Sequence, residues 1–336
     1  MAAPAIVPRR WRVPRADRAA IVRWPADFAP RYTIFVDTEE EFDWSAPFAR
    51  EGHGITALAA LPEAHRRLSA LGAALTFFID YPVVSDPHAV DMLRDLLASD
   101  PRAAIGAQLH PWVNPPFDEP LSRAASFAGN LPIEMLEEKV VRLSDAIAAA
   151  FGTRPIAFRA GRYGIAPEMF ALLARHGYRL DSSVRPGFDY SAEGGPDFIA
   201  ATTDAWREAG LVELPLSTIF TGALRRAGAG LHARLGGIPH ARSVFARAGL
   251  FSRVPLTPEG VPVAEALEAI AVALGEGASL LNFAFHSPSL VPGNTPYVRD
   301  VADLARFWRW WDVVLEELER RGVRSASLAE LLAAAG

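Results

Sequence analysis

The stretch RYTIFVD at residues 31–37 begins an alternation of predicted strands and helices that indicates the fold of the chain. The stretch is short, apolar and rich in β-branched and aromatic residues, as buried strands are. A segment with helical periodicity follows at 56–71, and a second apolar stretch, ALTFFID, follows at 74–80. This order of strand, helix and strand predicts two parallel strands with a helix packed outside them.

The same alternation continues to the end of the chain. The remaining predicted strands are AAIGAQLH (103–110), PIAFRA (155–160), YRLDSSV (178–184), LVELPL (211–216) and SLLNFAFHS (279–287). The remaining predicted helices cover 87–99, 133–151, 166–176, 262–274, 300–321 and 326–335. About seven repeats, without a glycine-rich phosphate loop after the first strand, favour an α/β fold that is a distorted (β/α) barrel in a single domain.

Two segments do not follow the alternation. Residues 1–30 are rich in arginine and proline, and we expect an irregular arm that packs over one end of the core. Residues 222–258 are rich in glycine, arginine and alanine, and we expect an irregular insertion or lid within a domain that covers 31–336.

Composition excludes several classes of function. The 336 residues are 50% hydrophobic, which is enough apolar material for a large core. A net charge of −5 argues against a nucleic-acid partner. The chain has no cysteine, so disulfides, thiolate zinc sites and cysteine nucleophiles are excluded. Because no segment reads as a signal peptide or a transmembrane helix, we expect a cytoplasmic protein.

Polar residues follow two of the predicted strands, at the barrel end where catalytic groups lie. Asp37 and Glu39 are two residues apart after the first strand, so they face the same side of an extended chain. Gln108 and His110 have the same spacing after the third strand. Two carboxylates on one side are unfavourable unless they are paired, hydrated or bound to a metal. A solvated acidic loop and a hydrogen-bonded core histidine are the alternatives.

Three further polar residues end later strands. Arg159 leaves the fourth strand toward the barrel mouth and needs a carboxylate partner, for which Asp37 is the natural candidate. His286 follows an apolar run and precedes a loop rich in proline and glycine, which suits a general acid–base. Asp181 lies in the fifth strand, where a local turn or cap is the stronger alternative. Together the carboxylate pair, the two histidines and Arg159 are the inventory for metal-assisted hydrolysis.

The motifs resemble those of the polysaccharide deacetylases with a NodB homology domain, a carbohydrate esterase 4-like family, and in particular its WalW-like branch. The most specific matches are FHSPSL (285–290) followed by PGNTPYV (292–298), DTEEEFDW (37–44) and QLHPWVNPPF (108–117). The resemblance covers about residues 30–330. It implies a distorted (β/α) barrel, a divalent metal, usually zinc, and hydrolysis of N- or O-acetyl groups on glycans.

The resemblance also implies roles for individual residues. Asp37 is the expected base, His286 the expected catalytic acid, and Arg159 the residue that orients the base. Tyr163 is expected to line the substrate groove, and Asp181 is expected to support it. Trp44 and Trp112 are expected to bind substrate for a separate reason: they lie near the predicted mouth, where aromatic rings stack on apolar sugar faces, and ordinary packing is the alternative.

The metal ligands implied by the resemblance are Glu39, His110 and Gln108. Glu39 is expected because the residue directly after the base is a threonine and not an acid. The family's pair of histidines, four residues apart, corresponds here to Gln108 and Trp112. A glutamine oxygen is a weaker zinc ligand than an imidazole, and His53 is a less favoured source of a second imidazole.

The sequence therefore predicts a metal-dependent hydrolase that removes acetyl groups from an acetylated sugar or polysaccharide precursor. Two other functions stay open. One is a non-catalytic relative that binds a glycan, or a partner in envelope polysaccharide assembly, and the missing imidazole is the reason to keep it. The other is an amide hydrolase with a small non-sugar substrate. Metal occupancy distinguishes the non-catalytic relative from the predicted hydrolase. The sequence indicates no oligomeric state.

Overall fold

The computed structural model describes residues 6–28, 30–43, 46–52 and 54–336. Its strands are β1 (Arg31–Thr38), β2 (Leu75–Ile79), β3 (Ala104–Leu109), β4 (Ala157–Ala160), β5 (Leu180–Asp181), β6 (Trp206–Glu208), β7 (Leu211–Glu213), β8 (Thr218–Thr221), β9 (Ser252–Pro255), β10 (Leu280–His286) and β11 (Arg324–Ser325). Within the described residues, seven strands form a parallel sheet in the order β10–β1–β2–β3–β4–β5–β7. Strand β6 is antiparallel to β7, and β11 pairs with the start of β1.

The sheet curls until its two ends are bridged. Ser217, just after β7, donates its backbone N–H to the carbonyl of Asn282 in β10 at 3.1 Å. Ala284 of β10 donates to the carbonyl of Leu256 at 3.3 Å. The distorted α/β barrel of about seven strands predicted from the sequence is confirmed.

The helices lie outside the sheet. They are α1 (Leu61–Ala70), α2 (Tyr81–Ser85), α3 (Pro87–Ser99), α4 (Ile133–Phe151), α5 (Pro167–Arg175), α6 (Gly228–Gly236), α7 (Ala241–Arg247), α8 (Val263–Gly275), α9 (Val301–Arg320) and α10 (Leu328–Ala335). Alternate strand residues divide between two apolar clusters: Ile34 and Val36 of β1 pack in the outer cluster with the helices, whereas Phe35 packs in the inner one. None of the described helices has the length and apolar composition of a membrane-spanning segment.

One end of the barrel is covered by the C-terminal helix. Leu331 and Leu332 of α10 join the inner cluster, which also contains Leu180 of β5. Ser327 caps α10 by accepting from the backbone N–H of Glu330, whose side chain accepts from Ser327 in return. Because α10 follows β11, which pairs with the first residues of β1, it covers the amino ends of the strands. The carboxyl ends remain available for a site.

The insertion is more regular than predicted. Strands β8 and β9 form an antiparallel hairpin at its borders, and α6 and α7 lie between them. The sequence of residues 222–258 does not predict these elements, because its glycines and arginines interrupt any apolar periodicity. Within the predicted N-terminal arm, Val13 donates its backbone N–H to Asp197 and Val22 donates to Ala205.

Candidate active site

A cavity of about 300 Å³ opens at the carboxyl ends of the strands. Its inner wall contains the six residues predicted for catalysis and metal binding: Asp37, Glu39, Gln108, His110, Arg159 and His286. Strand register brings them together, because Asp37 of β1 is aligned with His286 of β10, and Gln108 of β3 is aligned with Arg159 of β4. Neighbouring parallel strands therefore present their polar ends side by side.

Asp37 is buried and held by an arginine. Arg159 donates from Nη1 to Asp37 Oδ1 at 2.7 Å and from Nη2 to the hydroxyl of Ser182 at 3.0 Å. The guanidinium also lies over the ring of Phe78, with Cζ 5.0 Å from the centroid. The ion pair expected from the sequence is present, and it fixes the orientation of the Asp37 carboxylate.

His286 is held by a glutamate that the sequence does not indicate. Its Nδ1 lies 2.6 Å from Glu259 Oε2, and its backbone N–H donates to Glu259 Oε1 at 3.1 Å. Its Nε2 lies 3.5 Å from Asp37 Oδ2. Burial alone would lower the pKa of His286, but the charges of Glu259, Glu39 and Asp37 outweigh burial and raise that pKa to about 10. The imidazole therefore stays protonated at neutral pH.

Glu39 forms the other side of the inner wall. Gln108 donates from Nε2 to Glu39 Oε2 at 2.9 Å, and His110 Nε2 lies 3.5 Å from the same oxygen. Burial raises the pKa of Glu39 to about 7, against the opposing effect of His286 and His110. Gln108 Oε1 is buried, and no described residue hydrogen-bonds it.

A second acidic group lies behind His110. The Nδ1 of His110 is 2.8 Å from Glu40 Oε2, and Asp80 Oδ2 accepts from the backbone N–H of Glu40 at 2.9 Å. Ligand atoms of Glu40, Asp80 and His110 all lie within 4.8 Å of one another. Burial is the main cause that raises the pKa of Glu40 to about 7 and that of Asp80 well above its usual value.

These residues fit a divalent cation. Within the described part of the chain, one arginine and two histidines lie among five buried carboxyl groups, those of Asp37, Glu39, Glu40, Asp80 and Glu259, and a bound cation would favour the charged form of these carboxyl groups. The unpartnered Gln108 Oε1, Glu39 and His110 Nε2 offer oxygen and nitrogen donors on the cavity side. Glu40 on Nδ1 would orient the ring, as carboxylates commonly do for metal-binding histidines. The buried group of Glu40, Asp80 and His110 is a second set of donors.

Close packing against His110 requires a glycine at position 161. A Cβ atom there would overlap the His110 ring and would lie 2.8 Å from the carbonyl oxygen of Leu109. We expect Gly161→Ala to lower the free energy of unfolding by about 1–3 kcal/mol, as overpacking does. Denaturant unfolding measures this free energy. Gly275→Ala is the control, because a Cβ atom at position 275 meets nothing within 4 Å. Equal stability of the two variants would contradict the geometry.

The outer wall of the cavity is aromatic and basic. Arg162 and Tyr163 follow β4 in the left-handed backbone region, with φ of 54° and 59°, which is unfavourable for residues other than glycine. Tyr163, predicted to bind substrate, lines the cavity and stacks on Tyr190 with ring centroids 5.8 Å apart. Arg185 and Tyr297 complete this wall.

Two other residues predicted to bind substrate, Trp112 and Asp181, do not line the cavity. Trp112 is buried outside the cavity lining, stacks on His110 at 4.4 Å and donates from Nε1 to Glu40. Asp181 does not line the cavity either: its neighbour Leu180 faces inward, so Asp181 faces outward, where its Oδ1 accepts from the hydroxyl of Ser183. Trp44 lies outside the described residues, as does His53.

No family model matches the chain, and no curated protein matches it. Among solved structures, a protein from Mycobacterium smegmatis described as a polysaccharide deacetylase is 16% identical, with a TM-score of 0.51 over 94% of this chain and 92% of that one. A 4-alpha-glucanotransferase from Thermococcus litoralis is 10% identical, with a TM-score of 0.51 over 91% of this chain and 40% of that one. At these identities the similarity establishes the fold, which serves more than one carbohydrate reaction.

Proposed function

We propose that the protein is a divalent-cation-dependent hydrolase that removes acetyl groups from an acetylated sugar or polysaccharide precursor, within the WalW-like branch of the polysaccharide deacetylases. One observation carries the proposal. Asp37, a carboxylate fixed by an arginine, faces His286, a histidine fixed by a glutamate, across 3.5 Å in one cavity. A base and an acid that share a cavity with candidate metal ligands suit acyl-group hydrolysis.

Asp37 is the proposed base. Its Oδ2 is directed into the cavity while Oδ1 is occupied by Arg159, so one oxygen is available to accept a proton from the attacking water. Arg159 compensates the negative charge without competing for the proton, because a guanidinium stays protonated in proteins.

His286 is the proposed acid. Its Nε2 points to the cavity and its Nδ1 is held by Glu259, so the proton on Nε2 is the one it donates to the leaving amine or alcohol. Ser289 donates its hydroxyl to Glu259 at 2.5 Å and keeps that carboxylate in position.

Glu39, His110 and Gln108 would hold the cation, with Glu40 and Trp112 supporting His110 from behind. When bound, a divalent cation of this kind polarises a carbonyl and lowers the pKa of water. Zinc is the proposed ion, although the oxygen-rich donor set also suits harder cations.

The experiment is an acetate-release assay on N-acetylated and O-acetylated oligosaccharides, with the protein loaded with zinc. The proposal predicts release that a chelator abolishes and added zinc restores. Glycan binding without acetate release from any substrate, by protein that retains its cation, would instead identify a non-catalytic relative.

A further inference from the structure

The four arginines in or beside the cavity fall into two classes. Arg159 is paired with Asp37, and Arg162 is paired with Glu193. Arg185 and Arg253 have no carboxylate oxygen within 4.0 Å among the residues that the structure describes. A partly buried cation without an anionic partner is unfavourable, so an anionic ligand would stabilise Arg185 and Arg253.

Arg185 lines the cavity and has unused donors. Its one hydrogen bond to a described residue runs from Nη1 to the hydroxyl of Tyr190 at 3.0 Å. The Nε is buried and has no partner within the described chain. The guanidinium is fixed by stacking, with Cζ 4.0 Å from the ring centroid of Phe188 and 5.0 Å from that of Tyr163.

Arg253 of β9 lies on the same aromatic ring. Its Cζ is 3.4 Å from the Phe188 centroid, and its Nη1 donates to the carbonyl of Gly187 at 2.7 Å. Burial, together with the charge of Arg185, lowers the pKa of Arg253 to about 10. Residues 214–258, which include Arg253, supply no counter-charge of their own, because they contain six arginines and no acidic residue.

We propose that Arg185, supported by Arg253, binds an anionic group on the substrate, which makes the substrate an acetylated sugar that carries a phosphate or a carboxylate. This inference rests on the proposed function and narrows its substrate class. A guanidinium fork matches the oxygens of either anion. The acidic inner wall repels such a group and the basic outer wall attracts it, so the cavity would orient the acetyl group toward Asp37.

The size and lining of the cavity agree with this substrate class. A volume of about 300 Å³ is at the lower end of the range for small-molecule sites, and it suits one charged sugar unit. The stacked rings of Tyr163 and Tyr190 offer a flat surface beside Arg185 for the apolar face of the sugar.

The test compares three probes in calorimetric titrations of the full chain: N-acetylglucosamine, N-acetylglucosamine 1-phosphate and N-acetylmuramic acid. We expect at least one charged sugar to bind about tenfold tighter than the neutral sugar, as a charge-assisted hydrogen bond provides. The charged probe that is preferred identifies phosphate or carboxylate as the anion. Arg185→Met should remove the preference, whereas Arg142→Met, at an exposed ion pair on α4, should keep it.

Arg253→Met is the second variant, and it decides the question if Arg185→Met does not fold. We expect it to weaken binding of the preferred charged sugar and to leave binding of the neutral sugar unchanged. Equal binding of all three probes by the unmodified protein, or a preference that survives both substitutions, would overturn the inference. An arginine-dependent preference without acetate release would support the inference while contradicting the proposed function.

Discussion

Asp37→Asn is expected to lower kcat/KM for acetate release by a factor of about 10² to 10⁴, the usual effect of removing a general base. Asparagine keeps the shape of the side chain but cannot accept the proton of the attacking water. The measurement is steady-state acetate release on the best substrate of the oligosaccharide panel. A variant that retains more than a tenth of the activity would show that Asp37 is not the base.

Stability must be measured beside activity for this variant. The neutral amide would leave the Arg159 charge buried without its partner, and breaking a buried ion pair costs up to about 3–5 kcal/mol. Asp145→Asn is the matched control, because Asp145 forms an exposed ion pair with Arg154 whose loss should change little. Circular dichroism and thermal unfolding then separate a folded, inactive enzyme from an unfolded one.

His286→Ala is expected to lower kcat/KM by a similar factor of about 10² to 10⁴, because the leaving group then departs without a proton. The reaction needs His286 protonated, so activity should fall as the pH rises through the pKa of this group. Because that pKa is raised to about 10, we expect activity to persist well above neutral pH.

Glu259→Gln tests whether the charge of Glu259 is what raises the pKa of His286. Removing the Glu259 charge should lower the pKa of His286 and move the alkaline fall of kcat/KM to lower pH. Glu208→Gln, at an exposed position of strand β6, is the control and should leave the profile unchanged. An unshifted profile in Glu259→Gln would mean that His286 is not the titrating acid.

The inner wall can be predicted from the sequence because its residues end strands. Parallel strands bring their carboxyl ends to one edge, and a two-residue spacing places both polar side chains on the same side. This is why the sequence alone identifies Asp37, Arg159 and His286, together with Gln108 and His110.

The supporting residues follow no such rule. Glu40 adjoins Glu39 in a run of three glutamates, and strand periodicity does not predict which carboxylate turns toward His110. Glu259 lies in a loop that follows the insertion, 27 residues before His286 in sequence. Asp80 does end a predicted strand, so the rule that identifies Asp37 applies to it too.

Asp181 and Trp112 show that strand periodicity read from the sequence does not always indicate which residues line the cavity. The boundaries of β5 decide which of its residues face the cavity, and a shift by one residue exchanges the two faces of a strand. In this register Asp181 does not line the cavity, because Leu180 is the residue that faces the barrel interior. Trp112 is close to His110 in sequence, but its ring supports that histidine from outside the cavity.

The proposed function requires the acids and the histidine of the inner wall to hold a divalent cation. The most direct test is the metal content of tag-free protein, measured by mass spectrometry after incubation with zinc and dialysis. We expect about one ion per chain, lost in His110→Ala and retained in His88→Ala, which changes an exposed position on α3. Unmodified protein that keeps no ion would contradict the account and would favour a glycan-binding relative without catalysis.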